Sequence, residues 1–155
     1  MNLWKTFEIQ RNIQQTNQGI AFHYHQNIDS ELKQKYIAFA KWLRRTYIFP
    51  VRISVYVLNC EKVTLQNGTM AYGSFRWFPK RKPLIRIPSA IEPRLLLEYT
   101  KEEIFEQILS SLVHELTHYY QWVLKLEQNN VTSERQASYY RYRILDKFNN
   151  ETTRI

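Results

Sequence analysis

Ser110-Ser111-Leu112-Val113-His114-Glu115-Leu116-Thr117-His118-Tyr119-Tyr120-Gln121-Trp122 sets more limits on this chain than any other stretch. Apolar residues recur at Ile104, Phe105, Ile108, Leu109, Leu112, Leu116 and Val123, the spacing of one helix face. Thr100 followed by Glu103 is a capping box, which starts the helix near Lys101. Gln128-Asn129-Asn130 is expected to end it. His114 and His118 are four residues apart and therefore lie about 40° apart around the helix axis. Both imidazoles project from one side, the geometry that binds one Zn²⁺ through two ring nitrogens. Glu115 is then placed as general base toward a water on that ion. Two histidines and a carboxylate are costly in an apolar helix unless they have partners.

A catalytic zinc usually takes three protein ligands. No histidine follows His118, so a downstream third ligand must be a carboxylate. Glu127 falls about half a turn off the ligand face, Glu151 lies in a polar tail, and Asp146 is late in the last helix. Glu134, sixteen positions past His118, is the best candidate. A turn at Gln128 to Val131 lets the next helix fold back, and Ala137 leaves room for close helix packing. Thr132 or Ser133 is the expected cap, with the helix running from Glu134 to about Phe148.

Upstream, Asp29 or Ser30 caps a helix that runs to about Tyr47 on Leu32, Tyr36, Phe39, Ala40 and Leu43, and Pro50 stops it. Val51 to Leu58 alternates and is β-branched, a strand. Met70 to Phe78 reads as a second strand containing Gly73, and Leu84 to Ile87 as a third. Between them, Pro79-Lys80-Arg81-Lys82-Pro83 reads as a basic turn. Lys62 to Leu65 is strand or loop, and Ile91 to Tyr99 is a short helical piece. Ile20 to His25 suggests a short strand with His23 and His25 on one face, read as a surface strand rather than a second metal site. Residues 1–27 are polar and Gln/Asn-rich, a flexible or covering segment. The fold class is α+β: a single domain over 1–155, with an N-terminal helix, a three- to four-stranded sheet, the motif helix and a C-terminal helix carrying the third ligand.

The order of strands, His-Glu-x-x-His helix and glutamate helix, from about Val51 to Phe148, resembles the zincin metallopeptidases of the gluzincin type. In size the chain is similar to the minigluzincins. Gly73-Ser74-Phe75, Leu84-Ile85-Arg86-Ile87-Pro88 and the motif also look like the SprT-like domain, whose third histidine is missing here. The resemblance implies a zinc metallopeptidase in which His114, His118 and Glu134 bind the metal and Glu115 is the base. It also implies that the strand at Ala71, Gly73 and Phe75 borders the cleft and pairs with an extended peptide. Many gluzincins carry an aspartate four residues after the glutamate to orient a histidine; this chain has Ser138 there. Tyr139, Tyr140 and Tyr142 are candidate donors to an oxyanion.

The net charge of +8 attracts polyanions. Arg76, Trp77, Lys80, Arg81 and Lys82 form a basic, aromatic run suited to phosphates and stacked bases. The alternative function is therefore a zinc-stabilised, nucleic-acid-associated protein whose role is binding. With one cysteine, Cys60, no internal disulfide forms. No stretch reads as a leader or membrane span, so a cytoplasmic location and a narrow intracellular protein substrate are expected.

Overall fold

The computed structural model describes residues 2–153. In order, its elements are α1 (Leu3–Thr6), β1 (Ile20–Tyr24), α2 (Ser30–Thr46), β2 (Ile53–Leu58), β3 (Val63–Thr64) and β4 (Met70–Ala71). They continue with β5 (Ser74–Phe78), β6 (Arg81–Pro88), a 3₁₀ turn (Pro93–Leu97), α3 (Lys101–Val123) and α4 (Asn130–Thr152). The main sheet has the order β1-β2-β6-β5. β1 and β2, and β2 and β6, pair parallel, while β5 pairs antiparallel with β6 and has no strand on its other edge among the described residues. β3 and β4 form a separate two-stranded ribbon.

Alternation along the strands sorts their side chains. Ile53, Val55 and Val57 of β2 and Ile85 and Ile87 of β6 are fully buried, in register with one another. Tyr56 and Arg86 point to the other, open face. His23 joins them there, stacked on Tyr56, so it lies on the solvent side of the sheet. The helices cover the inner face. Leu109, Leu112, Val113, Leu116, Tyr119 and Tyr120 of α3 are at most 1% exposed. Full burial of such a side chain stabilises by roughly 1.5–3 kcal/mol.

α3 begins as the capping box requires: Thr100 Oγ1 accepts from Glu103 N, and Glu103 Oε1 accepts from Thr100 N. It ends at Val123, several residues before the expected Gln128, because Lys125 takes a left-handed conformation (φ 53°) that no helix continues through. α4 starts earlier than Thr132 or Ser133 would allow. Asn129 is its cap, accepting from Thr132 N at 2.8 Å, so Glu134 sits in the second turn. Tyr119 and Tyr120 fix α3 to the segment before β2: Tyr119 Oη bonds both Val51 N and Val51 O, and Tyr120 Oη donates to Ile48 O.

Three further expectations change. The strand expected over Met70 to Phe78 is broken at Tyr72-Gly73. The basic turn shrinks to Pro79-Lys80, with Arg81 and Lys82 inside β6. Residues 2–8 are not loose: α1 buries Leu3 and Trp4, and Phe7 follows them into the core. Trp4 donates from Nε1 to Thr117 Oγ1, and Leu3 N donates to Tyr140 Oη. No helix among the described residues is long and apolar enough to cross a membrane.

Candidate metal centre

α3 and α4 run antiparallel and bring His114, His118 and Glu134 together. His114 Nε2 lies 3.0 Å from Glu134 Oε2, and His118 Nε2 lies 3.0 Å from Glu134 Oε1. One donor atom from each residue falls within 4.8 Å of the others, the one such His/Cys/Asp/Glu group among the described residues. A tetrahedral ion with bonds of 2.0–2.2 Å needs donor–donor edges of about 3.3–3.6 Å, which lies within the 4.8 Å that spans this triangle. Glu134 is 60% exposed on its side chain, while the imidazoles are mostly covered. Ala137 is fully buried, as close packing of α3 on α4 requires. Glu127 and Asp146 are exposed, and Glu151 accepts from Trp42 Nε1; none of them joins the group.

Glu115 is 9% exposed beside the triangle. Burial, and then the charge of Glu134, push its carboxyl up to about 8, with Arg141 pulling the other way. His114 is held below its ordinary value by burial first and by His118 second, so its ring is kept neutral, the form that binds metals. Gly73 lies against Glu115: a Cβ there would meet Glu115 Cγ at 3.1 Å and Oε1 at 3.3 Å. The glycine therefore leaves room for Glu115 and for Ile87 Cδ1, which a Cβ would meet at 3.2 Å, while its backbone borders the cleft.

Ser138 is exposed and bonds neither imidazole. Ser133 Oγ lies 3.3 Å from His118 Nδ1, and the nearer partner of that nitrogen is a residue the sequence does not single out, Gln121. Its Nε2 donates to the Ser133 carbonyl at 3.1 Å and to Gln136 Oε1 at 2.8 Å. A backbone carbonyl can only accept, so the amide's oxygen end faces His118 Nδ1, at 2.8 Å. Nδ1 therefore carries a proton, and Nε2 is the ring atom that faces Glu134. Ser133 Oγ donates to the same oxygen. His114 has no such support: its Nδ1 is buried without a hydrogen-bond partner among the described residues.

These groups line a cleft of about 1520 Å³. Ala71, Gly73 and Phe75 border it, with Arg76 and Trp77. Lys80, Arg81 and Lys82 lie outside it and exposed. Trp77 is 56% exposed and stacks beside Trp122. Of the three tyrosines only Tyr142 lines the cleft. Tyr140 is buried against Leu3 and Asn2, and Tyr139 lies under the guanidinium of Arg143. No residue of 2–27 lines the cleft, and neither His23 nor His25 approaches the triangle.

No protein-family model, no curated protein and no solved structure matches this chain. Its functional reading therefore rests on its own residues.

Proposed function

We propose that the protein is a zinc-dependent metallopeptidase acting on a narrow set of intracellular protein substrates. The observation that carries this is Glu115. A site that only holds a fold together has no use for a buried carboxylate beside its donors, and burial there costs free energy. A general base has that position.

His114 Nε2, His118 Nε2 and a Glu134 oxygen would hold the ion, and the donor set, two neutral imidazoles and one carboxylate, suits Zn²⁺. When bound, zinc supplies Lewis acidity, making water more acidic and a peptide carbonyl more electrophilic. Glu115 takes the proton from the attacking water and delivers it to the leaving amine. Glu115 beside a bound cation would favour its ionised form, offsetting the burial that raises its proton affinity. Gln121 keeps the proton of His118 on Nδ1. The outer edge of β5 offers main-chain groups to an extended peptide, and Phe75 and Trp77 offer apolar surface beside it.

The test is zinc content of the purified full chain, wild type beside Glu134→Ala. One zinc per chain, lost or much weakened in the variant, supports the three-ligand site. Peptide hydrolysis abolished by Glu115→Gln then supports the enzyme. No zinc in wild type after purification without chelator and with added metal refutes it.

A second reading has its own observation. Lys80, Arg81 and Lys82 have no carboxylate within 4.0 Å among the described residues, and exposed Trp77 stands near them. Such a surface suits single-stranded nucleic acid. Replacing all three cations with Gln should flatten the salt dependence of oligonucleotide binding; unchanged binding removes this reading.

A further inference from the structure

Arg141 lines the cleft, and the metal site and Glu115 account for none of its contacts. It lies two helical turns after Glu134, on the same side of α4 and about 10 Å further along it. Its guanidinium crosses to α3 one turn before His114. Nε donates to Ser110 Oγ at 3.3 Å, and Nη2 donates to Ser110 Oγ at 3.0 Å and to Ser111 Oγ at 3.4 Å. Both hydroxyls already spend their own protons on the Gln107 carbonyl, so they act toward Arg141 only as acceptors. The fork is thereby held in one orientation. Nη1 has no partner, and no carboxylate lies within 4.0 Å of the guanidinium, among the described residues. The charge is felt inside the site, where it lowers the proton affinity of both His114 and Glu115.

A half-buried arginine hydrogen-bonded, among the described residues, only to neutral hydroxyls, with the Tyr142 ring 5.4 Å from its guanidinium carbon, donors left over and a cleft in front of it, lacks an anion. We propose that Arg141 is a carboxylate-recognition subsite of the cleft, gripping an acidic group of the peptide within one or two residues of the cleaved bond. The distance supports this: one helical turn beyond His114 is about 5 Å, and an extended peptide advances about 3.4 Å per residue. A planar fork with free N–H groups is the side chain best matched to a carboxylate. The acidic group is either an Asp or Glu side chain or the free C-terminus of a peptide. The reference to a cleaved bond rests on the peptidase reading; the subsite itself does not.

The test separates the two. The full chain, labelled with ¹⁵N and freed of metal on a chelating resin, is titrated with three probes. N-acetylglutamate amide carries a side-chain carboxylate, N-acetylalanine a terminal one, and N-acetylglutamine amide neither. The readout is the Arg141 Nε–H signal, assigned by its loss in Arg141→Lys. At least one carboxylate probe should shift it saturably, roughly tenfold or more tighter than the neutral amide. Whichever carboxylate binds tighter identifies the source. Equal binding of all three probes, or no shift with any, overturns the proposal and leaves Arg141 as a tie between α3 and α4. Because the readout needs no turnover, an inactive protein that still prefers carboxylates sinks the peptidase and keeps the subsite. Zinc-loaded enzyme that cleaves peptides without enrichment of acidic groups near the cut does the opposite.

Discussion

Glu115→Gln should change how the metal-free protein responds to pH. In the unfolded chain this carboxyl titrates near 4.5, and in the fold it is pushed up to about 8. The native state therefore holds the proton more tightly across that interval, and the protein loses stability as pH rises through it. At about 1.36 kcal/mol per unit, the loss attributable to this group is about 1 kcal/mol at pH 5 and about 3 kcal/mol at pH 7. It is complete, on the order of 4–5 kcal/mol, a little above pH 8. Gln keeps the shape and removes the titration. His114 works in the opposite direction, since its lowered value makes the fold gain stability as pH rises toward 6.5, but wild type and variant share that effect. The assay is urea denaturation of both proteins at pH 5, 6, 7 and 8 without metal. The variant should become the more stable of the two, with a gap that widens by about 2–3 kcal/mol between pH 5 and pH 7. Added zinc should close most of it, because a cation beside the carboxylate favours its ionised form. Parallel stability curves for the two metal-free proteins would refute the claim that burial holds the proton on Glu115.

Gln121→Ala should weaken zinc affinity about 10- to 100-fold in a chelator competition, with Gln121→Glu recovering most of it; an unchanged constant would leave His118 oriented by something else. Gly73→Ala should lower turnover by an order of magnitude or more with zinc content intact, because the new methyl must displace Glu115 by a few tenths of an ångström. A variant with full activity would show that Glu115 has room to yield. Thr100→Ala should cost about 1 kcal/mol in denaturation, being the hydroxyl half of the capping box, and a change within error would mean that the first turn of α3 is held by tertiary contacts alone.

Periodicity and caps made the frame readable. The start of α3 follows from Thr100 and Glu103, whose reciprocal bonds are both local. The meeting of Glu134 with the two histidines was legible because helix geometry and a short connection leave few ways to fold back. What was hidden depends on partners distant in sequence. Gln121 falls between Tyr120 and Trp122, and nothing in that run says its amide reaches Ser133 rather than water. Arg141 reads as one more cation on a solvated helix until α3 supplies Ser110 and Ser111. Gly73 signals a close approach but not the atom approached. α1 is only four residues long, too short to show a period, and its burial comes wholly from tertiary packing. The end of α3 turns on a left-handed lysine, a conformation that residue type alone does not announce.

The pinning of Tyr119 and Tyr120 to Val51 and Ile48 has a kinetic consequence. The two imidazoles belong to a helix locked to the sheet, while the carboxylate belongs to another helix, reached through residues 124–129 and facing water. An ion held by all three would leave in a fixed sequence, with Glu134 letting go first and the histidine pair last. Substitutions in the 124–129 connection should therefore change how long a metal stays more than how fast it arrives.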